Sequence, residues 1–197
     1  MDWRNTREHY GWVSVSLHWL MLLLLIAVYG CIELRELYPK GSDPREAFKA
    51  WHFMLGLTVF ILVWIRLVAQ LLQVRPEILP VPPRWQVLVG RSMHAILYLF
   101  MIAMPLMGWL VLSGSGKPVP FFGATFPALM AENETLAKAI KEVHEMVGSA
   151  GYFLIGIHAL AGLFHHYILR DNTLLRISPK KFKYLSVFFI FLLFFFC

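Results

Sequence analysis

Apolar residues gather into four long stretches of the chain, residues 11–32, 51–72, 87–112 and 143–169, with polar residues confined largely to the links between them. Each stretch reaches the roughly 20 residues that an α-helix needs to cross a bilayer. Their few interruptions are specific: Ser14, Ser16 and His18 in the first, His52 and Arg66 in the second, Arg91, His94 and Pro105 in the third. The fourth holds His144, His158, His165 and His166. The links are a mixed acidic and basic segment (33–50), a Pro-rich segment (73–85) and a longer loop (113–142). Gly and Pro mark the first half of that loop, and from Glu132 a helix can begin that leads into the fourth stretch. The pattern predicts an all-α, integral membrane four-helix bundle forming one domain over residues 1–181. Residues 182–197 are Phe-rich and apolar but too few to span, and their role is open: a segment along the membrane surface, a cover for a helix face, or no part of the functional design.

Composition agrees with this reading: 58% of the 197 residues are hydrophobic and 15% charged, against about 25% charged in a soluble domain. The formal charge of +6 does not point to nucleic acid, because the basic residues flank apolar stretches and form no stripe interleaved with aromatics. Cys31 and Cys197 have no CxxC spacing, which argues against a disulfide framework or an iron–sulfur site. Arg4 and Arg7 precede an apolar stretch too long for a signal peptide, so a retained first helix is expected. Eleven Lys and Arg residues fall at the N-terminus, around the second link and after the fourth stretch, against seven in the first and third links. This excess places both ends of the four-helix domain in the cytoplasm.

Ionisable side chains inside a span are costly and by default mark function. Seven of the eight histidines sit in or at the ends of the stretches, His9 alone lying outside. His144 and His158 are 14 residues apart, which returns them to within about 40° of the same helix face and about 21 Å apart along the axis. One helix offering a ligand near each leaflet suits two haems stacked across a bilayer. Each haem then needs a second histidine from another helix. By depth, His52 pairs with His144 on the outer side and His18 with His158 on the inner side, with His94 as the competitor to His18. Two axial imidazoles leave iron no open position, which suits electron transfer. Gly151, midway on the His144–His158 stripe, leaves room either for macrocycle edges or for a neighbouring helix. His165, one heptad further, is either an interfacial residue or a proton-carrying group at a quinone site. Arg66 and Arg91 either pair haem propionates or reach to the headgroups.

Several segments carry a resemblance: SLHW around His18, AWH at His52, RSMH at His94, and HEMVGSAGYFLIGIHALAGLFHHYILRDNTLLRISP from His144 onward. Over residues 8–181 the chain resembles the bacterial cytochrome b561 family, most closely its small members with superoxide:ubiquinone oxidoreductase activity. The resemblance implies two haem b groups with iron ligands His18, His52, His144 and His158. It implies ubiquinone reduction involving His165 and His94, and periplasmic superoxide or another small donor on the outer side of a bacterial inner membrane. The Phe-rich tail has no expected counterpart. Residues 33–50 balance four basic against four acidic side chains, so an anionic donor would be steered locally by Lys49, Arg45 or Lys117. Two other functions share parts of the pattern: a relay or anchor subunit for a periplasmic protein, and a histidine-lined metal carrier.

Overall fold

The computed structural model describes residues 2–178; the tail at 182–197 lies outside them. The four apolar stretches are four helices, each long and apolar enough to cross a membrane. They are α1 (Trp12–Leu34), α2 (Asp43–Leu72), α3 (Arg84–Gly114) and α4 (Glu134–Tyr167), followed by a short α5 (Thr173–Ile177). Successive helices pack side by side, α1 on α2, α2 on α3 and α3 on α4.

Three helices extend beyond their apolar cores, for reasons legible in the local sequence. Pro44 in the first turn fixes the start of α2 ahead of its apolar run. Arg45 anchors that turn, its guanidinium donating to the carbonyls of Arg35 and Tyr38 and to both carboxylate oxygens of Glu36. α3 opens directly after Pro83 and continues through Pro105. α4 begins at Glu134, capped by the Asn133 side chain, which accepts from Leu136 N–H at 3.0 Å.

The third link contains an element that its Gly and Pro content concealed. Val119–Phe121 (β1) and Ala124–Phe126 (β2) form an antiparallel hairpin, closed by Phe122 and Gly123 with φ of 47° and 88°. Positive φ at both central residues is what a two-residue hairpin turn demands. Val119 is buried against Leu57 and Leu112, with Phe53, Trp109, Phe121 and Phe126 packed around them. The hairpin thus lies over the α2–α3 end beside His52.

A second apolar cluster, Met21, Val59, Val63, Phe100 and Met101, fills the middle of the bundle. α4 faces α1 across a gap that side chains bridge. Tyr29 O–H donates to the Gly148 carbonyl at 2.7 Å, and its ring lies 4.3 Å from that of Tyr152. At the end carrying the chain termini, the N-terminal segment folds over the second link. Asn5 donates to the Gln73 side chain and the Val74 carbonyl, and Glu77 N–H to the Arg7 carbonyl.

Candidate functional site

The histidines assemble at two levels. At the end away from the termini, His52 of α2 and His144 of α4 have ring centres 6.3 Å apart. At the terminal end, His18 of α1 and His158 of α4 are also 6.3 Å apart. A metal–imidazole bond of about 2 Å, with about 1.1 Å more to the ring centre, sets two imidazoles on opposite sides of one metal about 6 Å apart. Both pairs fit that spacing. His94 of α3 stands 5.3 Å from His158.

Hydrogen bonding supports the fit at the outer pair. His52 Nδ1 lies 3.0 Å from the Val28 carbonyl, an acceptor only, so Nδ1 carries the proton and Nε2 is left to bind. His144 Nδ1 is buried and faces the Met104 carbonyl without a well-formed hydrogen bond. At the terminal end, Arg66 Nη2 sits 2.9 Å from His18 Nδ1. An arginine only donates, so Nδ1 accepts. Iron on Nε2 of a neutral imidazole needs a proton at Nδ1, which requires the Arg66 guanidinium to turn to another acceptor. Arg66 lies over the Tyr98 ring at 5.6 Å and has no carboxylate partner among the described residues. A haem propionate is an acceptor of the right charge for it.

Gly151 is buried, and a Cβ there would overlap Tyr29 Oη and the Phe100 ring. Its space is taken by these side chains from α1 and α3. Arg91 is exposed and makes no ion pair among the described residues. Two of the three basic residues expected to steer an anion are engaged. Arg45 is buried against Glu36, and Lys49 pairs with Glu46 at 2.6 Å. Lys117 stays exposed in the turn before the hairpin.

His165 lies in the last turn of α4, and its Nδ1 is 2.5 Å from Asp171 Oδ2. Asp171 is 5% exposed. Its Oδ1 accepts from Thr173 N–H at 2.8 Å, and its own N–H donates to the His165 carbonyl at 3.1 Å. Burial opposes the charge, but hydrogen bonds from His165 and Thr173 outweigh it and hold the carboxyl below the usual carboxylate range. Asn172 ties the same loop to the second link, exchanging hydrogen bonds with the Leu79 backbone and donating to the Glu77 carbonyl. Arg176 donates to the Pro76 carbonyl, and Trp19 Nε1 to the Ile177 carbonyl. Sequence reasoning valued DNTLLR as a family segment but assigned Asp171 no role. The available signal was an acidic residue six positions after His165, a separation that a helix-ending turn closes.

The family model described as prokaryotic cytochrome b561 matches residues 9–180. Cytochrome b561 homolog 1 of Escherichia coli (strain K12) is 39% identical over 174 residues, covering 88% of this chain and 99% of the relative. A protein of Yersinia pestis named probable superoxide oxidase CybB is 38% identical, covering 88% and 98%. Cytochrome b561 homolog 2 of E. coli K12 is 28% identical, covering 92% and 97%.

Proposed function

Since the chain belongs to the prokaryotic cytochrome b561 family, and is thereby a membrane electron-transfer cytochrome of the haem b type, we propose that it carries electrons from superoxide on its outer side, through two haems, to ubiquinone in the bacterial inner membrane. The observation that carries the two-haem reading is the pair of 6.3 Å imidazole separations, one at each level of the bundle. In this reading His52 and His144 hold the outer haem, and His18 and His158 the inner one. The haems supply one-electron redox chemistry. The chain supplies ligation, depth and an apolar interior around Met21, Val63 and Phe100 that keeps water from the space between the levels. The four ligands leave the metals no open position, which directs the function to outer-sphere electron transfer.

Arg66 neutralises a propionate at the inner level in this assignment. The donor is superoxide because the Yersinia relative is named a probable superoxide oxidase, and Lys117 is an exposed cation on that side that favours an anion. Ubiquinone is reduced near the cytoplasmic end, where His165 carries protons and His94 lines the approach beside His158. Both ends of the four-helix domain lie in the cytoplasm.

The test is haem content and the oxidised and reduced spectra of the purified protein, with single His→Ala changes at positions 18, 52, 144 and 158, followed by superoxide-driven ubiquinone reduction. Two low-spin b haems per chain are expected, falling to about one in each variant, with quinol formed by the wild type. A single haem, or a haem count insensitive to one of the pairs, overturns the two-level assignment. Haem reduction that needs a co-purifying periplasmic protein, with none by superoxide, replaces this function with that of a relay subunit.

A further inference from the structure

We propose that Asp171 is the positioning residue of the proton-donating site: its buried carboxylate fixes the His165 ring through Nδ1–H and leaves Nε2 as the atom that hands a proton to a bound quinone. The inference rests on the quinone role of His165 given above and names the device that makes it work.

The geometry is that of a carboxylate–imidazole couple. The α4 helix closes with Asp171 N–H bonded to the His165 carbonyl, six residues back, and Arg170 taking φ of 54° to make the reversal. That turn returns the Asp171 carboxylate over the ring of His165. Thr173 N–H fixes one carboxylate oxygen, and the other faces His165 Nδ1. A carboxylate only accepts, so Nδ1 carries a proton in either charge state of the ring. Nε2 is then the nitrogen that gains and loses a proton. The Asn172 and Arg176 bonds to the second link anchor the loop from both sides of Asp171. The charged and titratable groups set around the pair from other elements are Arg176 of α5 and, beside it, Tyr10 of the N-terminal segment; His166 and Arg170 adjoin it on its own segment.

The chemistry balances. A quinone becomes a quinol by taking two electrons and two protons. Two superoxide ions supply the electrons and leave as two molecules of O2. For each proton, the Nε2–H bond of His165 breaks and an O–H bond forms on a quinone oxygen. Neutral His165 keeps its Nδ1–H on Asp171 and regains the Nε2 proton from cytoplasmic water.

The experiment uses the haem-loaded full chain in detergent with a short-chain ubiquinone, comparing wild type, Asp171→Asn, Asp171→Glu and His165→Gln. With Asp171→Asn, haem content and reduction of the haems by superoxide are expected to stay at wild-type levels. The kcat for quinol formation falls at least tenfold with KM changed less than threefold. Asp171→Glu, which keeps the carboxylate, restores part of kcat. The double variant Asp171→Asn/His165→Gln is no slower than His165→Gln alone, because both remove the same donor. If Asp171→Asn does not assemble with haem, the pH profile of His165→Gln decides: loss of its basic limb supports the donor role and its retention overturns it. Wild-type kcat in Asp171→Asn overturns this inference alone. A wild type whose haems accept electrons from superoxide but never reduce quinone overturns the function and the inference together.

Discussion

Single residues in this bundle act by what they leave uncovered as much as by what they touch. Gly151 is the sharpest case, because the absent side chain admits Tyr29 from α1 and Phe100 from α3 to the same spot on α4. Forcing a methyl group into a packed interior typically costs about 1–3 kcal/mol. Gly151→Ala is therefore expected to lower the thermal unfolding midpoint in detergent by several degrees while leaving the four paired histidines in place. An unchanged midpoint would show that Tyr29 and Phe100 yield at no cost. The sequence placed Gly151 on the histidine stripe but left its occupant open, since periodicity gives the face of a residue and not what stands opposite. The histidine pairs were more legible. A 14-residue spacing fixes which residues share a face of one helix, and depth assigns partners by counting from the ends of the spans. Arg66 was visible as a charge in a span, yet its contact with His18 Nδ1 depends on how α1 and α2 rotate against each other, which one sequence does not encode in any local pattern.

At the scale of elements, the ends of helices carry most of what the apolar pattern missed. Hydropathy locates the part of a helix that lies in lipid, whereas caps and turns set where it stops. α4 starts nine residues ahead of its apolar run because Asn133 caps it, and it stops at a reversal through Arg170. The hairpin at 119–126 escaped for a related reason: strands of three residues are too short for an alternation signal, and the Phe122–Gly123 turn was read as loop composition. The Arg170 turn makes a prediction of its own. A non-glycine residue in the left-handed region costs roughly 1–2 kcal/mol, and glycine removes the cost. Arg170→Gly is expected to raise the unfolding midpoint slightly, with the His165–Asp171 couple and its pH profile retained. A lowered midpoint would mean that the Arg170 side chain contributes more than its backbone costs, for instance at the lipid headgroups.

Across the whole molecule, the two histidine levels turn a bundle of ordinary helices into a directional path. Fourteen residues of α4 separate His144 from His158 by about 21 Å, and the layer between them is filled by Met21, Val59, Val63, Phe100 and Met101 together with Tyr29. In the proposed function, this apolar layer separates the levels, and the protons for quinone reduction enter at the end where His165 and Asp171 stand. The proposed order, electrons passing from the His52–His144 level to the His18–His158 level, is testable by removing the levels one at a time. In His144→Ala the haem at the His158 level remains: quinol is expected to reduce it, while superoxide drives no quinone reduction. In His158→Ala the haem at the His144 level remains: superoxide is expected to reduce it, and quinol to leave it oxidised. Stopped-flow spectra of the two variants with each donor separate the four cases. Superoxide reducing the remaining haem of His144→Ala would put the donor at the His18–His158 level and overturn the proposed order of the two levels.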